Sequence, residues 1–146
     1  MAAPYNNETV SVITPVYNVA GVIGKTLDSM LSQSYKDLEI VLVDDCSKDN
    51  SAEIIAGYVQ KYPNIIYHKQ EINQGAAVAR NTALNIASGR YVAFLDSDDQ
   101  WCDGKLAKQL AFMKEHDAAI TCTALDTIDE EDKPLGSVRN VKEKRL

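Results

Sequence analysis

The sequence has little of what a disulfide scaffold, a metal cage or a nucleic-acid clamp would need. Its 146 residues include only three cysteines, Cys46, Cys102 and Cys122. Their number is odd and none stands in a C-x-x-C spacing, which argues against a disulfide framework or a structural zinc site and for a reducing compartment, with the three acting as small packing residues. The two histidines, His68 and His116, have no metal-ligand spacing to each other or to a cysteine and read as structural or surface residues. Basic charge is short as well. Fifteen Lys plus Arg stand against 21 Asp plus Glu, for a net charge of −6, so a broad footprint for nucleic-acid phosphates is excluded. No stretch approaches the ~20 apolar residues of a membrane span, and Met1 to Thr9 is polar without a signal-peptide core. The chain is expected to be soluble as it stands. Neither G-x-G-x-x-G, nor a P-loop, nor G-x-S-x-G occurs.

What is present is the average make-up of a globular domain, 45% apolar and 25% charged. A chain of this length buries roughly two thirds of its unfolded surface and needs no staple to fold. Short β-rich runs alternate with longer helical stretches. The strands are expected at Val10 to Thr14, Leu38 to Val43, Ile65 to His68, Tyr91 to Leu95 and Ala118 to Thr123. Most are continuous apolar runs, such as Ile40-Val41-Leu42-Val43, which suit strands covered on both faces. Helices are expected at Ala20 to Ser32, Ser51 to Lys61, Gly75 to Ala87 and Asp103 to His116; in the first, Val22, Ile23, Leu27, Met30 and Leu31 share one stripe. Asp49, Asn50 and Ser51 offer N-caps to the second helix, and Ser88-Gly89 closes the third. Strands separated by such helices imply right-handed βαβ units and a mostly parallel, Rossmann-like sheet, hence a three-layer α/β/α sandwich.

In open parallel sheets ligands bind beyond the carboxyl ends of the strands. There the chain collects Thr14-Pro15-Val16-Tyr17-Asn18, Asp44-Asp45-Cys46-Ser47, Asn73-Gln74-Gly75 and Asp96-Ser97-Asp98-Asp99. The last has three carboxylates in four positions, a gathering of like charge that costs free energy unless a cation or hydrogen-bond donors offset it. It reads as a hard-cation site for Mg²⁺ or Mn²⁺ or, as readily, as a solvated loop that caps the next helix. Asp44-Asp45 could accept from a ribose hydroxyl or a pyrimidine N3–H, or close an Asx turn into Ser47 to Ser51. Pro15 and Tyr17 could wall a base. Arg80, early in a helix, could reach a phosphate or a carboxylate.

Taken in order, Val10 to Asn18, Leu31-Ser32-Gln33-Ser34-Tyr35, Glu39 to Ser47, Asn73-Gln74-Gly75 with Ala79-Arg80-Asn81, and Gly89 to Asp99 resemble the start of a family 2 glycosyltransferase with the GT-A fold. The resemblance covers about residues 10 to 125, and the ordered set is specific although each piece is weak. It implies an inverting transfer of a sugar from a nucleotide-diphospho-sugar, usually UDP-linked, to a glycan, lipid-linked sugar or other hydroxyl acceptor. It also implies cell-envelope polysaccharide synthesis in the cytoplasm, at the inner face of the membrane where the acceptor is lipid-linked. Residue by residue, it implies that Pro15 and Tyr17 border the base and Asp45 accepts from the uracil. Asp96 lies near the ribose, Ser97 is a further donor-binding residue, Asp98 ligates a divalent metal (Mn²⁺ or Mg²⁺), Asp99 is a second ligand, and Arg80 assists at the base or its carboxylate.

The departure from the family lies at the end. Inverting transfer needs a general base, and in this family an Asp or Glu well after the Asp-x-Asp segment serves; Asp126, Asp129, Glu130, Glu131 and Asp132 come too early for that position. The expected organisation is an N-terminal tail at 1–9, a nucleotide-sugar-binding domain at 10–125, and a turn segment and tail of an incomplete acceptor-side region at 126–146. Such a C-terminally truncated chain is expected to bind donor and to turn over little by itself, and its open sheet edge favours self-association. The alternatives are a non-catalytic nucleotide-sugar-binding module or truncated remnant, and a receiver or dinucleotide binder. The last would want glycines or an acidic pair after the first strand, where Thr14-Pro15-Val16-Tyr17 stands.

Overall fold

The computed structural model describes residues 8–135. The expected tail at 1–9 up to residue 7, and the expected C-terminal segment beyond Leu135, lie outside the described residues. Eight elements run in the order β1 (Val10–Val16), α1 (Ile23–Leu31), β2 (Leu38–Asp44), α2 (Ser51–Lys61), β3 (Ile65–Lys69), α3 (Ala76–Ile86), β4 (Tyr91–Phe94) and α4 (Lys105–His116). They fall into two compact units divided between Gly104 and Lys105.

The first unit holds one parallel sheet in the order β3-β2-β1-β4. Its cause is the continuous apolar run of β2, where Ile40, Val41, Leu42 and Val43 are all fully buried, so that both faces of the strand are covered. On one face Ile13, Val41 and Val43 pack with Ala79 and Ala83 of α3, small residues that bring the helix close to the strands. Right-handed crossovers carry α1 and α2 to the opposite face, and Ile23, Leu27, Met30 and Ile55 of these helices are completely buried. The result is the expected α/β/α sandwich.

The chain runs β1, β2, β3 outward in one direction and then returns, through α3, to place β4 on the other side of β1. That makes β1 the switch strand, where open α/β sheets develop a crevice. Pro15 deepens it. The backbone of Thr9 and Ile13 faces β4, accepting from Tyr91 and Leu95, whereas Val10 and Val16 face β2; by this alternation Pro15 faces β4 without an N–H to offer. Register between β1 and β4 accordingly ends at Ile13 and Phe94, while pairing with β2 continues to Val16 and Asp44.

Element ends differ from the sequence expectation where tertiary bonds intervene. Helix α1 starts at Ile23 rather than Ala20, because the N–H groups of Asn18, Val19 and Ala20 donate to Ser47 Oγ, Ser51 Oγ and Asp49 Oδ2 at 2.9–3.0 Å and hold the chain as a loop. Helix α3 ends at Ile86. Gly89 is set aside for a close approach, since a Cβ there would sit 2.6 Å from Thr9 O. Its N–H donates to Ser11 Oγ, which in turn donates to Glu39 Oε1.

In the second unit α4 buries Leu106 and Leu110 and ends where the Ala118 N–H reaches Met113 O. The fifth expected strand, Ala118 to Thr123, does not form. A β-prone run needs a neighbour to complete its ladder, and among the described residues it has none; Ile120 is 88% exposed. The acidic segment after it does turn, with Asp129 Oδ1 accepting from the N–H groups of Glu131 and Lys133. Of the cysteines only Cys46 is half-buried. Cys102 and Cys122 are exposed, so the packing role expected of all three holds at most for one.

Candidate functional site

A cavity of about 380 Å³ opens at the carboxyl ends of the strands in the first unit. Its lining gathers Pro15 and Tyr17 after β1, Asp45 after β2, Asn73 and Gly75 before α3, Arg80 on α3, and Asp96, Ser97 and Asp98 after β4. All the residues singled out for binding in the sequence thus meet in one place, with one exception. Asp99, expected as a second metal ligand, is not in the lining.

Asp45 is the most constrained member. Only 3% exposed, its carboxylate accepts from Gln70 Nε2 (2.6 Å) and the Gln74 N–H (2.7 Å) on Oδ1, and from the Gly75 N–H (2.7 Å) on Oδ2. Asn73 Nδ2 adds a bond to its main-chain carbonyl. Gly75 precedes α3 at φ +87°, a conformation that favours glycine, and it has no side chain to cap the helix. Asp45 therefore supplies the acceptor and the negative charge that this helix start attracts. One lone-pair direction on Oδ2 is left for a ligand donor.

Its neighbour Asp44 is fully buried and structural. It accepts from the Ser47 N–H at 2.7 Å and from the Tyr67 hydroxyl at 2.6 Å. Burial first, then this bond and the carboxylate's charge, push the Tyr67 hydroxyl far above its ordinary pKa. Asp44 thus holds the turn after β2, by a bond from the N–H three residues on rather than the two of the anticipated Asx turn, and the cavity is left to Asp45.

The loop after β4 is built differently. Arg80 Nη2 donates to Asp96 Oδ1 at 2.5 Å, and the two side chains are 35% and 52% exposed. Arg80 thus meets Asp96, whereas the contacts of Asp45 come from Gln70, Gln74 and Gly75. Ser97 is buried, and its carbonyl accepts from Thr26 Oγ1 of α1, which anchors the loop. Asp98 is exposed. The Asp99 carboxyl lies above its ordinary pKa because of partial burial and the charges of Asp98 and Asp96.

Gln70 had no place in the sequence reading, which stopped β3 at His68 and resumed at Asn73. The available signal was its position just past a strand end, the same signal that selected the aspartates.

Comparison with known proteins gives the family and the fold. The family model for glycosyl transferase family 2 matches residues 11–145, and the chain belongs to that family. It is 46% identical over 128 residues to TuaG of Bacillus subtilis (strain 168), a glycosyltransferase named for teichuronic acid biosynthesis, covering 86% of this chain and 50% of that one. It is 48% identical over 107 residues to the UDP-Glc:alpha-D-GlcNAc-diphosphoundecaprenol beta-1,3-glucosyltransferase WfaP of Escherichia coli, covering 73% and 42%. Among solved structures, S. aureus TarS 1-349 in complex with UDP matches with a TM-score of 0.70 at 38% identity over 75% of this chain and 33% of that one. The mannosyltransferase PcManGT from Pyrobaculum calidifontis, in complex with GDP-Man and Mn²⁺, matches with a TM-score of 0.69 at 30% identity, covering 87% and 37%. The fold is therefore that of the GT-A transferases, and the chain spans half or less of the length of these relatives. Among the described residues no helix is long and apolar enough to cross a membrane.

Proposed function

We propose that this chain forms the donor-binding part of an inverting glycosyltransferase that takes a UDP-linked sugar and passes it to a hydroxyl acceptor. The observation that carries the reading is the single cavity in which a thrice-bonded, buried Asp45 and the Asp96-Ser97-Asp98 loop share one lining with Pro15 and Tyr17. Asp45 offers its remaining lone pair to the N3–H of uracil, with Pro15 and Tyr17 beside the ring. The Arg80–Asp96 pair borders the ribose. The name of WfaP, which includes a diphosphoundecaprenol-linked sugar, supports a lipid-linked acceptor, and with it a place at the inner face of the membrane.

A divalent metal fits the same loop. Among the described residues no three carboxylate, histidine or cysteine side chains group into a cage, and Asp96 is already engaged by Arg80, so the protein side of the site reduces to the Asp98 carboxylate. Mg²⁺ or Mn²⁺ accepts such a site because it completes its shell with substrate phosphates and water. A metal held there would supply positive charge against the departing diphosphate. The chain's own residues bind and orient the donor: Asp45 fixes the base, Ser97 holds the loop against α1, and Asp98 supplies a hard oxygen.

Among the described residues none is assigned the part of the general base, and Asp129 is occupied by its own turn. Transfer by this chain alone is therefore expected to be slight. The test is thermal unfolding with UDP, with Mn²⁺ and with both, followed by turnover of a panel of UDP-sugars. UDP with Mn²⁺ should raise Tm beyond the sum of the separate effects. Equal shifts by UDP with and without metal would count against the metal site, and robust turnover would overturn the expectation of slight transfer.

A further inference from the structure

One buried residue ties together the whole turn that carries Asp45. Gln70, the first residue after β3, is buried and makes three contacts with three consecutive residues of that turn. Its N–H donates to Asp44 O at 2.8 Å. Its Nε2 donates to Asp45 Oδ1 at 2.6 Å, and its carbonyl accepts from Cys46 Sγ at 3.0 Å. The turn needs such support, because Cys46 sits at φ +67°, where a residue with a Cβ is strained. Gln70 does not line the cavity. Whatever it does for a ligand, it does through Asp45.

Its amide is also oriented. The far oxygen, Oε1, accepts from the Thr82 hydroxyl of α3 at 3.4 Å, which leaves the NH₂ end for the carboxylate. A glutamine read the other way round would set an oxygen against Asp45. With the Gln74 and Gly75 N–H groups, the amide completes three donors around one carboxylate, so that the Asp45 side chain presents the cavity with an acceptor.

We infer that Gln70 is a specificity-determining positioning residue, which through Asp45 makes the site select bases that present a ring N–H over bases that present a bare ring nitrogen. The inference rests on the proposed role of Asp45 as the base acceptor. Uracil brings N3–H to such an acceptor. Cytosine brings a lone pair at the same position, and two acceptors face to face leave both unpaired.

The experiment compares UDP with CDP, each with Mn²⁺, by calorimetric titration of the full chain, using the wild type, Gln70→Glu, Gln70→Met and Thr82→Val. Wild-type protein should bind UDP at least about tenfold more tightly than CDP, the effect of one lost or opposed hydrogen bond. Gln70→Glu sets a second carboxyl against Asp45, and two such groups at this distance share a proton. Sharing that proton takes negative charge from Asp45 and weakens the acceptor left facing the base, and the preference for UDP should fall by about tenfold. Gln70→Met and Thr82→Val, which remove the donor or free the amide to turn without adding an acid, should lower the preference in the same direction by smaller factors, and they carry the test if Gln70→Glu does not fold. A loss of affinity that is equal for UDP and CDP in every variant would make Gln70 a structural brace only and overturn the inference. A wild-type protein that binds both nucleotides equally would instead refute Asp45 as the base reader, before any substitution at Gln70 is made.

Discussion

The carboxylates that line the cavity are held in opposite ways. Asp45 is almost fully buried and its oxygens meet three N–H donors at 2.6–2.7 Å, two of them from the start of α3. Asp98 is exposed, flanked by the like charges of Asp96 and Asp99, and among the described residues no hydrogen bond engages its carboxylate. Folding completes the first group and leaves the second to be completed by whatever binds. A rigid, desolvated acceptor discriminates between hydrogen-bonding partners, whereas an exposed acidic loop discriminates between charges and favours a hard cation.

The largest effects should come from breaking the completed side. Asp45→Ala leaves the N–H groups of Gln70, Gln74 and Gly75 without their acceptor and uncaps α3, at a cost of about 3 kcal/mol. For a chain of this size that lowers Tm by roughly 10 °C. UDP affinity should fall with it, by about a hundredfold or more. Unfolding by urea and titration with UDP measure the two losses separately. A variant with normal stability would mean that Asp45 does not hold the start of α3.

Asp98→Ala should do the reverse. The residue supports nothing in the fold, so stability should change by less than about 0.5 kcal/mol. The metal-dependent part of UDP binding should vanish, leaving the affinity found in EDTA. Retention of a full Mn²⁺ effect would move the cation elsewhere. Arg80→Ala lies between the two. Its pair with Asp96 is partly exposed and contributes no more than about 1 kcal/mol, yet UDP affinity should drop roughly tenfold. A stability loss with unchanged affinity would reduce the pair to a surface contact.

The same contrast explains what could be read from sequence. The sheet was legible because Ile40 to Val43 is apolar without interruption, and the site aspartates because each follows such a run. Pro15 was legible as a wall residue but not as the stop that opens β1 from β4, since that depends on which neighbour its backbone faces. The start of α1 was misplaced by three residues because the deciding bonds come from Ser47, Asp49 and Ser51, about thirty positions away. The run Ala118 to Thr123 carries the composition of a strand, but composition cannot provide a partner. Gln70 was invisible for a related reason: a neutral amide in a loop has no motif, and its value arises from the register that lays β3 beside β2.

The smallest expected effect is also the most direct measure of strain on the acidic loop. Partial burial, with the charges of Asp98 and Asp96, raises the folded-state pKa of Asp99. Between its ordinary value and that raised one, the folded protein holds a proton that the unfolded chain has released. The stabilisation from that proton is present at low pH and is lost as pH rises through the folded value, so at neutral pH the charged Asp99 works against the fold. Asp99→Asn should then raise Tm at pH 7, by only about 1 °C because the side chain is exposed and solvent screens it. The gain should shrink as the pH is lowered through the folded value and vanish only below about pH 3, where the carboxyl is protonated in both states. It should also shrink at neutral pH when UDP and Mn²⁺ are added, since a cation beside Asp98 offsets the repulsion. A gain that ignores both pH and metal would show that the loop carries no electrostatic strain, and the contrast with Asp45 would then be one of burial alone.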